Sequence, residues 1–183
     1  ANPQSQANGA VMRCAPVALF HANRPGALLR DSAIVSEITH ANPLSVWSSI
    51  AVNLAIVELL HGRRAGLIER VAAQIDEPEV REVLVTIPGK SRRWVRSGGY
   101  VLETLGAAFW ALQNHEGFEE VVVAAVNLGE DADTVSAVAG ALAGAREGAA
   151  ALPERWLAFL RDADHLADRA LALYRMSDAR RNA

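Results

Sequence analysis

The chain has 183 residues, 51% of them hydrophobic, and a formal net charge of −3. That size and apolar content fit one ordinary domain with a substantial buried core and exclude intrinsic disorder. The weak negative charge, with no face-wide basic stripe, argues against nucleic acid or an anionic membrane as a general partner and leaves room for a small phosphate-bearing ligand.

Apolar residues recur at three- and four-residue spacing almost throughout, so the predicted class is all-α, a compact multi-helix domain. The opening stretch, "ANPQSQANG", has no initiator Met and none of the charged and apolar pattern of a secretory leader, so an upstream segment is to be expected. Helices are predicted over Met12 to His21, Pro25 to Thr39, Pro43 to His61, Leu67 to Ala73 and Glu77 to Ile87, then Tyr100 to Asn114, Phe118 to Asn127, Asp133 to Glu147, Pro153 to Leu160 and Asp162 to Tyr174. Pro25 and Pro43 suit a first helical turn, while "HGRR" and "NHEG" read as helix ends.

Cys14, the single cysteine, lies in an apolar run and reads as a buried small hydrophobe; with no partner for an internal disulfide, a reducing cytoplasm fits best. The longest apolar or glycine run, Val135 to Ala145 broken only by Ser136, falls short of the roughly 20 residues of a membrane span, so a soluble protein with no membrane partner is expected. Between Ile87 and Gly99 lies the main irregular connection, whose Lys90, Arg92, Arg93, Trp94 and Arg96 mix base with aromatic. Such a run can hold nucleic acid or phosphate, but a solvated loop is the better reading. Residues 1–176 form one helical domain, and 177–183, "SDARRNA", read as a polar, frayed tail.

The chemistry-bearing stretch is Asn127 to Ala145, "NLGEDADTVSAVAGALAGA". Residues two apart on a helix point in different directions, so Asp131 and Asp133 must straddle the start of the helix to face one spot, together with the Thr134 hydroxyl. An N-cap role with dipole stabilisation explains one Asp. Two, with Glu130 beside them, crowd negative charge that a cation would neutralise. Oxygen-only donors suit Mg²⁺, Mn²⁺ or Ca²⁺ and argue against zinc. Gly140, Gly144 and Gly148, with Ala137, Ala141 and Ala145 beside them, make one face of the helix small, so a central, closely packed helix is expected.

"NLGEDADTVSAVAGALAGAREG" resembles the signature of the ADP-ribosylglycohydrolase family, which includes the glycohydrolase that reactivates dinitrogenase reductase. "NGAVMRCAPVALF" at Asn8 to Phe20, "THANP" at Thr39 to Pro43 and "SGGYVLETLGAAFWAL" at Ser97 to Leu112 resemble its other blocks, in order over most of the chain. The resemblance implies an all-α fold, a binuclear Mg²⁺ or Mn²⁺ centre and hydrolysis of the glycosidic bond joining ADP-ribose to a protein side chain or small acceptor. It makes Asp131, Asp133 and Thr134 metal ligands. It sets Ser5, Asn8 and Gly9 against the diphosphate, with His40 and Tyr100 along the ADP-ribose.

Physical reasons stand beside the analogy. Ser5 to Gly9 leads into a predicted helix, where exposed N–H groups favour phosphate. Tyr100 can stack on a sugar or base, and His40 can donate a hydrogen bond when its tautomer is fixed. Plainer roles stay open: Asn8-Gly9 as a turn, Arg13 as an ion-pair partner, His40 as a helix-end tie.

Two departures from the family pattern matter. Glu130 stands where a second glycine is common. The family's N-terminal Thr-Asp-Asp or Ser-Asp-Asp motif and its catalytic Glu have no match here, so the resemblance covers the C-terminal part of the family domain. It implies that the general base, with a missing N-terminal segment or chain, precedes Ala1. Two functions are compatible with this pattern: an ADP-ribosyl-acceptor hydrolase completed from outside this chain, or a non-catalytic ADP-ribose- or nucleotide-binding module.

Overall fold

The computed structural model describes residues 3–179. They form ten α-helices joined by short turns, with no β-strand among them. In chain order the helices are α1 (Ala15–Phe20), α2 (Pro25–Glu37), α3 (Pro43–Leu60), α4 (Leu67–Ala72), α5 (Pro78–Thr86), α6 (Val101–Asn114), α7 (Phe118–Val126), α8 (Ala132–Glu147), α9 (Glu154–Leu157) and α10 (Ala163–Ala179). The all-α expectation holds, and most boundaries fall within a residue or two of those expected from the sequence.

Departures occur where local chemistry competes with periodicity. The expected helix from Met12 to His21 is split into a 3-10 turn, Val11–Arg13, and α1. Pro16 has no N–H for the carbonyl of residue 12, and its ring crowds that carbonyl, so the helix restarts. The predicted Pro153–Leu160 helix shrinks to α9, and the left-handed backbone of Asp162, at φ 58°, separates it from α10. Helix α10 then runs on to Ala179, past the expected end at Tyr174. Ser177, expected in the frayed tail, is buried and accepts a 2.7 Å hydrogen bond from the Asn23 N–H. Residues 180–183 lie outside the described residues.

Helix α3 forms the centre of the molecule. Asn42 caps it by accepting from the Leu44 N–H at 3.0 Å, and Pro43 opens its first turn. Its mean hydropathy of 1.6 over 18 residues would suit a membrane span, but 78% of that window is buried inside the protein. The surrounding helices α1, α2, α4, α6 and α8 cover it on all sides. In the sequence, Ser48, Ser49 and Asn53 interrupt its apolar run. Inside, Asn53 donates to the Ser32 hydroxyl at 2.9 Å and Ser49 to the Ser45 carbonyl at 2.9 Å. The pairing is incomplete: Ser48 Oγ and Asn53 Oδ1 are buried without a hydrogen-bond partner among the described residues.

Helix α8 is central, as its small-residue face predicts. It packs on α3, α6 and α7, with Val135, Val138, Ala139, Leu142 and Ala143 buried. A Cβ on Gly140 would stand 3.6 Å from the Val122 methyl of α7, and one on Gly144 3.8 Å from the Phe118 ring. Both distances are ordinary van der Waals contact, so the small face of α8 lies directly against α7. At the far end of α8, Arg146 is nearly enclosed and donates to the Leu112 carbonyl at 2.6 Å and to the His115 carbonyl at 3.1 Å. It thereby satisfies carbonyls left free at the C-terminus of α6.

Cys14 is buried as expected. Loss of solvent pushes its thiol up to about 12, so it stays protonated and acts as a packing group. The 87–99 connection contains two short turns, Ile87–Gly89 and Arg92–Trp94. Arg92 donates to the Asn127 carbonyl, which ties the connection to the segment leading into α8.

Candidate active site

Three segments far apart in sequence meet at the N-terminal end of α8. Residues 6–8 lie antiparallel to residues 99–101: the Val101 N–H donates to the Gln6 carbonyl at 2.9 Å, and the Asn8 N–H to the Gly99 carbonyl at 3.2 Å. The Asp131 N–H in turn donates to the Ser97 carbonyl at 3.0 Å, and the Ser97 hydroxyl to the Gly129 carbonyl at 3.2 Å. Close approach depends on missing side chains. A Cβ on Gly98 would lie 2.7 Å from Glu103 Oε2 and 3.0 Å from Glu130 Oε2, and one on Gly99 3.8 Å from Asp131 Oδ2.

Asn8 is the keystone of this junction. Its Nδ2 donates to the Thr104 hydroxyl at 2.8 Å and to Asp131 Oδ2 at 2.5 Å, so both amide hydrogens are committed. Thr104 passes its own hydrogen to the Gly98 carbonyl at 3.2 Å. The Asn8 amide, followed by the Thr134 hydroxyl and the Asp133 carboxyl, holds the Asp131 carboxyl below the usual Asp range against partial desolvation. Asp131 occupies the N-cap position of α8, yet its side chain makes no capping bond. The simple capping explanation of this residue therefore does not apply, and its carboxylate faces Asn8 instead.

The other predicted residues sort clearly. Asp133 is exposed in the first turn of α8, and Thr134 is buried with its hydroxyl 3.8 Å from the Met12 sulfur. His40 packs its ring on Gly9, where a Cβ would fall 2.7 Å from Cε1. Tyr100 is half-buried beside Ala7; burial first, then the charges of Glu79 and Glu103, raise its hydroxyl above the usual value. Ser5 joins the group least: its carbonyl lies 3.5 Å from the Ser45 hydroxyl, and no hydrogen bond among the described residues ties its side chain to Asn8 or Asp131.

The helix-terminus argument for phosphate at Ser5 to Gly9 needs correction. The chain beyond Gly9 enters only a three-residue turn, and the Asn8 N–H is already bonded to Gly99. Arg13, read as an ion-pair partner, instead donates to the Thr39 hydroxyl. Thr104 was missed in the sequence; it sits in an apolar helix 96 residues from Asn8, and nothing local marks it.

Glu130, where the resemblance implies a glycine, stands at a backbone position of φ 52°, next to Gly129 at φ 86°. That is the left-handed region glycine enters freely and a side chain enters at a cost. The sequence departure thus falls where glycine would be unstrained. In kind, the carboxylates of Asp131 and Asp133 and the hydroxyl of Thr134 fit a hard divalent cation. Among the described residues, however, no group of three or more His, Cys, Asp or Glu side chains is arranged to hold one.

The family model for ADP-ribosylglycohydrolase matches residues 1–183. The chain belongs to the ADP-ribosylglycohydrolase family. It is similar to the ADP-ribosylarginine hydrolase Tri1 of Serratia proteamaculans (strain 568), 32% identical over 96% of this chain and 48% of that protein. It is also similar to the ADP-ribosyl-[dinitrogen reductase] glycohydrolase of Rhodospirillum rubrum, 29% identical over 84% of this chain and 50% of that protein. A solved structure described as an ADP-ribosylglycohydrolase-related protein complex superposes with a TM-score of 0.83 at 34% identity, covering 96% of this chain and 62% of that one. The chain spans about half the length of these curated ADP-ribosylglycohydrolase relatives.

Proposed function

We propose that this chain supplies the ADP-ribose-binding wall and one acid set of a hydrolase that cleaves the glycosidic bond between ADP-ribose and a protein side chain or small acceptor. The observation that carries this reading is the 2.5 Å contact between the Asn8 amide and the Asp131 carboxylate. It joins the first and last of the family-like blocks at one point. Relatives named as ADP-ribosyl hydrolases support the reaction class.

Asp131, Asp133 and Thr134 would hold Mg²⁺ or Mn²⁺, with two ions in the complete site. Bound there, the ions would act as Lewis acids that orient the ribose hydroxyls beside the anomeric carbon. The chain's own residues bind and align: Asn8 orients the Asp131 carboxylate, Gly9 leaves room for the His40 ring to pack on it, and Tyr100 offers a stacking face. A carboxylate base must reach the attacking water as oxocarbenium character develops. Glu103 is a poor candidate, because its Oε2 already accepts from the Gly98 N–H at 3.1 Å. The family resemblance would place the base in the N-terminal part of the family domain, upstream of Ala1.

The test is release of ADP-ribose by the chain joined to, or mixed with, the N-terminal part of the family domain. Activity should require Mg²⁺ or Mn²⁺ and disappear in Asp133→Asn. Robust release by residues 1–183 alone would move the base to Glu103 or Glu130. A completed protein that binds ADP-ribose and both ions yet cleaves no linkage would establish a binding module in place of the enzyme.

A further inference from the structure

We propose that Arg13 and Thr39 form a relay that fixes the tautomer of His40, so that His40 presents its Nε2–H to its ligand as a hydrogen-bond donor. Arg13 and Thr39 are then positioning residues that link the segment after Gly9 to the segment before α3.

The direction of the relay is set by donor chemistry. A guanidinium can only donate, so the Arg13 Nη2 contact makes Thr39 Oγ1 an acceptor. The same oxygen lies 2.8 Å from His40 Nδ1. If the Thr39 hydroxyl donates to Nδ1, each atom in the chain is matched and the ring proton resides on Nε2. In the reverse arrangement Oγ1 accepts from both sides and its own hydrogen turns to solvent, so the first arrangement is the one that keeps every hydrogen bond of the relay within the protein. A ring whose Nδ1 accepts must carry its proton on the other nitrogen.

The aim of that proton is fixed as well. The His40 N–H donates to the Ser36 carbonyl at 2.8 Å, and the Ser36 hydroxyl to the His40 carbonyl at 3.2 Å, so the backbone is held on the last turn of α2. The ring lies on Gly9, where a Cβ would stand 3.1 Å from Nε2. Nε2 has no hydrogen-bond partner among the described residues, and Gly9 is next in sequence to the Asn8 that holds Asp131. A neutral N–H donor at this spot suits an anionic oxygen, such as one of a diphosphate. The identity of that ligand rests on the proposed ADP-ribosyl hydrolase function; the tautomer does not.

The experiment is long-range ¹H–¹⁵N correlation spectroscopy on the full chain with ¹⁵N-labelled histidine, at a pH where the rings are neutral. The five histidines are told apart with His40→Gln. His40 should show a nearly pure Nε2–H pattern. Thr39→Val should relax it to the mixed pattern of a free imidazole, Arg13→Met should relax it partly, and Thr39→Ser should preserve it. Arg13 and Thr39 are both exposed, so these variants should fold. An Nδ1–H pattern in the wild type, or a pattern unmoved in both Thr39→Val and Arg13→Met, overturns the relay. In calorimetry of the completed protein, Thr39→Val should weaken ADP-ribose about tenfold while Thr39→Ser does not. The expected tautomers with no ADP-ribose binding in any variant would sink the functional reading and leave the relay standing.

Discussion

The junction at the start of α8 and the α9–α10 segment are built on opposite principles. At the junction, polar groups from residues 6–8, 97–104 and 129–134 meet over separations as great as 123 residues, with a side chain in left-handed backbone and glycines at the close approaches. In α9–α10 the periodicity is locally regular, α10 packs on α1, Trp156 of α9 meets the Phe118 ring, and Phe159, Leu166 and Leu171 stand exposed. The one deep polar contact there is Ser177 with Asn23. Each region carries one side chain in left-handed backbone, Glu130 in the first and Asp162 in the second, so what separates them is the range of their contacts: the first is tied across the chain by polar groups, and the second is held by little.

Asn8→Ala should separate the two regions most sharply. It strips the Asp131 carboxylate and the Thr104 hydroxyl of one partner, which costs about 1–3 kcal/mol and lowers Tm accordingly. Affinity of the completed protein for ADP-ribose should fall roughly ten- to a hundredfold. Calorimetry with wild-type affinity would dissociate the junction from the ligand. The loss should also depend on pH. Asp131 has a folded-state value below its unfolded one, so its contribution is full above the ordinary Asp range and fades as pH falls through the depressed value. The Tm gap between wild type and Asn8→Ala should therefore narrow in acid; a gap that widens would contradict the assigned partner.

Ser177→Ala probes the other region. Losing the buried Ser177 hydroxyl that accepts from the half-buried Asn23 N–H should cost about 1 kcal/mol and loosen α10 against α1, seen as faster amide exchange there. Ligand affinity should not change, and a parallel loss of ADP-ribose binding would show that the two regions are coupled.

Glu130→Gly should have the smallest effect and the opposite sign. Relief of the left-handed side chain is worth about 1–2 kcal/mol, and the greater freedom of glycine in the unfolded chain takes back about 0.5–1. A net gain of roughly 0.5 kcal/mol is expected. A clear loss of stability would mean that the Glu130 carboxylate beside Gly98 makes a contact more valuable than the strain.

Legibility tracked the range of the interactions. Helix periods and proline starts are local, and α3, α6 and α8 were readable almost to the residue. The pairing of Asp131 with Asn8 was reachable only through the order of family-like blocks, because no local pattern joins them. Thr104 and the Arg13–Thr39 contact left no trace, since each looks ordinary in its own window. Ser177 was misjudged because a polar sequence at a chain end resembles a tail until a distant N–H needs an acceptor.

Arg146 and Asp131 stand at opposite ends of α8, 15 residues and about 22 Å apart at 1.5 Å per residue. Both ends are fastened to α6 or its flanks, one by the guanidinium on the Leu112 and His115 carbonyls, the other by the Asp131 N–H on Ser97. Mechanically, α8 is a beam clamped at each end, and the acid-bearing turn is one of its clamps instead of a free loop. Its fast motions should be those of a rod: amide order parameters at 131–134 should match those of the middle of the helix. Freeing the remote clamp with Arg146→Ala should lower them at the acid end, with no residue near that end altered.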